Sequence, residues 1–120
     1  MSFLKTVCVD FDGVIHAFIS PWTQGCEVHD GPVPGAIDFL HELERSSLRT
    51  VILSSRVNDS GGEDAIRAWL KQQGFKSYQT IEITATKPPA CLYIDDRAYC
   101  FEGTFPSMQE IKHFKPWNKR

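Results

Sequence analysis

The chain reads as an α/β protein built on a mostly parallel sheet of about five strands, and three observations carry that reading. Short apolar, β-branched runs alternate with segments whose apolar residues recur at helical spacing, the signature of strands joined by right-handed crossovers. The runs Val7-Cys8-Val9 and Val51-Ile52-Leu53 are continuous rather than alternating, as in strands covered on both faces. Polar groups capable of chemistry follow directly after the runs, and open α/β sheets bind ligands beyond the carboxyl ends of their strands.

The first strand, Val7 to Val9, is followed at once by Asp10-Phe11-Asp12-Gly13-Val14-Ile15. On an extended backbone Asp10 and Asp12 point to the same side, and paired carboxylates are unfavourable without a cation or a shared proton. A turn that merely ends the strand at Asp12-Gly13 is the plain alternative. His16 to Pro34 is a loop-rich excursion broken by Pro21, Gly25, Gly31, Pro32 and Pro34. From Gly35 to Ser47, Ala36, Ile37, Leu40 and Leu43 recur at helical spacing, with Asp38, Glu42 and Arg45 off that face. Arg49 to Ser54 holds the second strand. Ser60-x-x-Glu63 then reads as a capping box opening a helix with Ile66, Trp69 and Leu70 on one face and a stop at Gly74. Tyr78 to Ile83 is the expected third strand and Cys91 to Ile94 the fourth. A short fifth strand near Tyr99 to Phe101 and a helix near Ser107 to His113 complete the chain. No repeat or low-complexity segment divides it, so residues 1–120 are expected to form one domain.

Composition narrows the class. A chain of 120 residues with 42% hydrophobic and 23% charged residues is an ordinary globular domain, one able to bury roughly two-thirds of its unfolded surface. A formal net charge of -2 gives no global sign of nucleic-acid or membrane binding. Met1 to Lys5 lacks the apolar core of a signal peptide, and no run approaches membrane-spanning length. Cys8, Cys26, Cys91 and Cys100 show no C-x-x-C spacing, and Cys8 and Cys91 fall in expected core strands. A cytoplasmic protein with reduced thiols is therefore expected.

The chemistry sits at the strand ends. Ser54-Ser55-Arg56 offers a hydroxyl, backbone donors and a guanidinium, a plausible grip for phosphate. Lys87 stands in Thr86-Lys87-Pro88-Pro89, and the fourth strand ends in Asp95-Asp96-Arg97, a second carboxylate pair. Taken singly, Ser54 is a common turn residue and Lys87 a common solvated loop charge. In sequence order, Asp-x-Asp, Ser, Lys and Asp-Asp all fall at the carboxyl ends of successive expected strands.

On these residues, from Val7 to about Phe101, the chain resembles the haloacid dehalogenase superfamily of phosphohydrolases; Asp10-Phe11-Asp12-Gly13-Val14 is the most specific element. The resemblance implies a three-layer, Rossmann-like fold with the first strand central. It implies that Asp10 is the nucleophile and a ligand of magnesium, and that Asp12 is the general acid and base with its carbonyl on the metal. Ser54 would hydrogen-bond the transferring phosphoryl oxygens and Lys87 would neutralise them. Asp96 would contact the metal directly, with Asp95 supporting it or acting through water. Residue chemistry agrees independently. A carboxylate can form an acyl-phosphate that splits hydrolysis into two steps. Oxygen ligands suit magnesium better than zinc, and carboxylates in divergent environments can serve as nucleophile and acid.

Many members of that superfamily insert a cap domain between motifs. Here helix, loop and strand fill the intervals Asp12 to Ser54 and Ser54 to Lys87, so no cap is expected and the site is open. The resemblance is then to capless members acting on large substrates or covered by a second subunit, which leaves monomer and homodimer both open. The excursion 16–34 is the candidate flap; His16, Trp22 and His29 could touch substrate there, although packing or solvation is the plainer role of each. Arg56 is a candidate for a second phosphate or an acidic group. Cys26-x-x-His29 with His16 lacks a fourth ligand for zinc. The tail Lys112-His113-Phe114-Lys115-Pro116-Trp117-Asn118-Lys119-Arg120 could meet nucleic acid as a substrate, but a terminus with Phe114 or Trp117 folded back on the domain is the simpler expectation. The expected activity is a magnesium-dependent phosphatase. Its rivals are a phosphotransferase with the same intermediate and a non-catalytic module that binds metal or phosphate.

Overall fold

The computed structural model describes residues 5–21 and 27–120. Trp22 and Cys26, named above for a substrate contact and a zinc site, lie outside the described residues. The chain is α/β, with strands β1 (Thr6–Asp10), β2 (Arg49–Leu53), β3 (Glu82–Thr84) and β4 (Leu92–Ile94), and helices α1 (Ala36–Arg45), α2 (Gly62–Gln72) and α3 (Met108–Lys112). The sheet is parallel throughout with order β3-β2-β1-β4. β1 therefore lies between two neighbours. The register pairs Asp10 with Leu53 and Val9 with Ile94, so the residues that follow each strand emerge at one edge of the sheet.

The continuous apolar runs are buried as their composition predicts. Val7, Val9 and Phe11 alternate on one face of β1 and join Ile52 from β2 in the core. Leu40 and Leu43 of α1 and Ile66, Trp69 and Leu70 of α2 close over them. These two helices make successive crossovers in one direction, β1 to β2 and β2 to β3, which places them on the same face. The return from β3 to β4 is made by 85–91 without a helix. Cys91, at the end of that link, donates its amide to the Thr6 carbonyl.

Four elements depart from the sequence expectation. The third strand begins at Glu82 rather than Tyr78, because the amides of Thr80 and Ile81 both turn back to the Ser77 carbonyl. Residues 99–101 form no strand, so among the described residues the sheet has four strands rather than five. Their local contacts are within the segment instead: the Tyr99 hydroxyl donates to the Thr104 carbonyl, and the Phe101 and Phe105 rings lie 4.8 Å apart. The capping box expected at Ser60 is replaced by Gly61 in a left-handed conformation (φ 81°), and Glu63 pairs with Arg67 one turn on. A capping box does open α3, where Ser107 and Glu110 exchange bonds. Finally Cys91, placed in the core by its apolar neighbours, is exposed, as is Leu92, because β4 is an edge strand. Cys8, Cys91 and Cys100 are free thiols, and burial pushes the Cys8 thiol up. No described helix is long and apolar enough to cross a membrane.

Candidate active site

At the carboxyl edge of the sheet, Asp10 from the end of β1 meets Asp95 and Asp96 from the turn after β4. One carboxylate oxygen from each lies within 4.8 Å of the others. The turn is held by Asp95, whose Oδ1 accepts the Arg97 amide at 2.7 Å. Gly13 fits against Asp96: its φ is +87°, and a Cβ there would stand 2.2 Å from Asp96 Oδ2. Only glycine allows both this backbone conformation and this approach. Burial pushes the Asp10 carboxyl up to about 8, helped by a hydrogen bond with Asp96 and the charges of Asp95 and Asp96. Three acidic groups this close share a proton unless a cation replaces it. The donor set, all carboxylate oxygen and partly exposed, fits a hard divalent ion such as magnesium.

Asp12, two residues on, faces different partners. Arg56 grips its carboxylate with both prongs, Nε to Oδ2 at 2.9 Å and Nη2 to Oδ1 at 3.1 Å. His16 Nδ1 lies 2.8 Å from Oδ1. Burial alone would raise the Asp12 carboxyl, but the bonds from His16 and Arg56 and the Arg56 charge outweigh it and hold the group below its ordinary range. The two aspartates of one motif thus sit in opposite electrostatic environments. The chemistry expected from sequence needs Asp10 ionised and Asp12 able to carry a proton, the reverse of this state. The cause is physical: Asp12 is paired with Arg56, whereas among the described residues no cationic side chain pairs with the Asp10 cluster.

Ser54 directly follows β2 and is buried; its amide donates to the Thr84 carbonyl and its Oγ accepts the Arg56 amide, capping the 3₁₀ turn Ser55–Asn58. A cleft of about 370 Å³ is lined by Asp10, Asp12, Phe18, Ser54, Ser55, Asp96 and Arg97. The structure therefore brings Asp10, Asp12, Ser54, Ser55 and Asp96 to one opening, with Asp95 beside them. Arg56, read from sequence as a substrate-phosphate contact, is only 4% exposed and its guanidinium is turned to Asp12 and the Glu27 carbonyl. Lys87 lies outside the cleft lining, exposed, with its ammonium 4.3 Å from the centre of the Tyr93 ring. Its field still reaches the Cys8 thiol, on the Asp10 side of the strand. His16 cannot serve a zinc site, since one ring nitrogen meets Asp12 and the other accepts the Asp30 amide at 3.0 Å.

Two lining residues carried no role in the sequence reading. Phe18 adopts a left-handed backbone (φ 53°), rare for an aromatic residue and without a sequence signal. Arg97 follows the Asp-Asp pair directly, and that adjacency was the available clue. It also lines a neighbouring apolar groove of about 400 Å³ with Tyr99, Ile111 and Phe114. Fold and cleft together define an α/β protein with an acidic opening at the ends of parallel strands. No family model matches the chain, and neither a curated protein nor a solved structure matches it.

Proposed function

We propose that the chain is a magnesium-dependent phosphohydrolase of the haloacid dehalogenase type, with a Rossmann-like core and no cap, acting on phosphate monoesters. The observation that carries the reading is the convergence of Asp10, Asp95 and Asp96 beside Ser54 in one open cleft. Three carboxylates held this close favour a cation placed among them over a single shared proton.

Asp10, Asp95 and Asp96, with the main-chain carbonyl of Asp12, would hold magnesium, which when bound would supply positive charge to favour an ionised Asp10 and to offset the charge of a phosphoryl group. With a cation held there Asp10 would be ionised and able to act as nucleophile. An Asp10 oxygen attacks phosphorus as the bond to the leaving oxygen breaks, and that oxygen takes a proton from Asp12. The Ser54 hydroxyl donates to an equatorial phosphoryl oxygen, and Arg97 at the mouth adds charge. Asp12 acquires its proton when the substrate arrives: a phosphate dianion beside it opposes the Arg56 charge and raises its affinity for a proton. Water next attacks the phosphorus of the aspartyl-phosphate, Asp12 takes the water proton, and inorganic phosphate leaves as Asp10 is restored.

The test is magnesium-dependent phosphate release from an aryl phosphate, beside sugar, nucleotide and end-phosphorylated oligonucleotide substrates. Turnover that chelator abolishes, and that Asp10→Asn lowers by at least about 10²-fold, is the expected result. Turnover that survives Asp10→Asn would rule out the aspartyl-phosphate route.

A further inference from the structure

We infer that His16 and Arg56 are positioning residues for Asp12, held in turn by the backbone of residues 27–30, an inference that rests on the phosphohydrolase reading above. The bidentate grip of Arg56 fixes the plane of the Asp12 carboxylate, since two parallel bonds from a rigid guanidinium leave it no rotation. His16 fixes the remaining freedom. Its ring is 1% exposed, stacked on Phe11 at 5.5 Å and edge-on to Trp69 at 5.6 Å. Because His16 Nε2 accepts the Asp30 amide, Nδ1 carries the hydrogen and donates it to Asp12 Oδ1.

Both clamps end on the same short stretch of chain. Arg56 Nη1 donates to the Glu27 carbonyl at 3.2 Å, and His16 takes the Asp30 amide. That stretch is itself tied down. The Trp69 indole donates to the Asp30 carbonyl at 2.8 Å, and the Asp30 carboxylate collects the amides of Ile19 and Ser20 and the Ser20 hydroxyl. A burial-neutralising pair would need one of these contacts; the set instead fixes the plane of the carboxylate and occupies Oδ1. Oδ1 accepts two bonds and Oδ2 one, so Oδ2 keeps accepting capacity and is the oxygen assigned to exchange the proton with substrate and water. Proton transfer needs heavy atoms within hydrogen-bond reach, and small misplacements are expensive in rate.

The test compares kcat/KM, which reports the step in which the leaving group departs, for an aryl phosphate and an alkyl phosphate. A phenolate leaves without help; an alkoxide needs the Asp12 proton. Asp12→Asn is expected to cost about 10²- to 10⁴-fold on the alkyl ester and far less on the aryl ester. Arg56→Ala and His16→Gln are expected to show the same selectivity, with an alkyl loss at least about 10-fold larger than the aryl loss, while inhibition by inorganic phosphate stays unchanged. Should Arg56→Ala fail to fold, Arg56→Lys, which keeps the charge and loses the fork, decides by the same ratio. Equal losses on both esters would mean a structural role, and weaker phosphate inhibition would mean that Arg56 binds substrate; either overturns the inference. Selectivity confined to Asp12→Asn overturns it while leaving the phosphohydrolase reading intact, and a wild-type protein silent on both esters overturns both.

Discussion

At the scale of the residue, Asp10 makes folding and cation binding depend on pH. Its carboxyl is raised from 3.8 to about 8 in the folded protein. Between those values the folded, metal-free protein retains a proton that the unfolded chain has released. Stability from this group is therefore fully present below the unfolded value and is lost as pH rises through the folded one. Asp12 has the opposite sign: its lowered carboxyl contributes stability above its unfolded value and loses it only on acidification, outside the window where Asp10 acts. The thermal midpoint of chelator-treated protein should accordingly fall from pH 5 to pH 8, and Asp10→Asn should flatten that slope. Magnesium, which displaces the shared proton, should raise the midpoint more at pH 8 than at pH 6; calorimetric scans across that range decide it, and a slope of opposite sign would refute the shared proton. The acidic members of this cluster were legible because the motif sits at strand ends, where side chains converge whatever the loops do. The Arg56 grip on Asp12 was not, since its partners stand 44 residues apart and nothing local distinguishes a phosphate-binding arginine from one turned inward.

At the scale of the element, the contact between α2 and the turn after β2 decides where Ser54 and Arg56 sit. Gly62, the first residue of α2, approaches the turn so closely that a Cβ would stand 1.7 Å from the Arg56 carbonyl oxygen. The obstacle is backbone, which cannot swing aside as a side-chain tip can. Gly62→Ala should therefore destabilise the protein by about 1–3 kcal/mol, as overpacking does, and should also lower turnover because the displaced carbonyl belongs to the residue that grips Asp12. Urea unfolding and phosphate release on one sample measure both; lost stability with unchanged turnover would uncouple the helix from the site. This contact also explains why the Ser60 capping signal misled: the close approach sets the start of α2, and Gly61 turns the chain into it. The apolar periodicity of α1 and α2 was legible because it reports burial directly. The boundaries of β3 were not, because Tyr78 and Ile81 are apolar in a turn as readily as in a strand. The expected fifth strand failed for a related reason, as Tyr99 and Phe101 lie exposed beyond the edge strand with partners inside their own segment.

At the scale of the whole molecule, the C-terminal tail meets the loop that follows Asp12. The Trp117 indole donates to the Gly13 carbonyl at 2.8 Å, and the Asn118 amide donates to the Ala17 carbonyl at 3.3 Å. Pro116, just before them, is buried, although the Trp117 ring itself remains half exposed. The tail read from sequence as basic and aromatic thus ties down the loop that follows Asp12 through Trp117 and Asn118. The consequence reaches the acidic cluster through Gly13, whose backbone touches Asp96. A Trp117→Phe protein keeps an aromatic ring at this position and deletes the indole donor. It should lose about 0.5–1.5 kcal/mol of stability, the net worth of one hydrogen bond, and the magnesium-induced rise in its thermal midpoint should shrink with it. Replacing Lys119 or Arg120 by alanine removes charge from the same tail without touching the bond to Gly13, so it should leave the magnesium response unchanged. A magnesium response that ignores Trp117→Phe but follows the charge changes would mean that the tail acts on the cleft through its field rather than through the Gly13 loop.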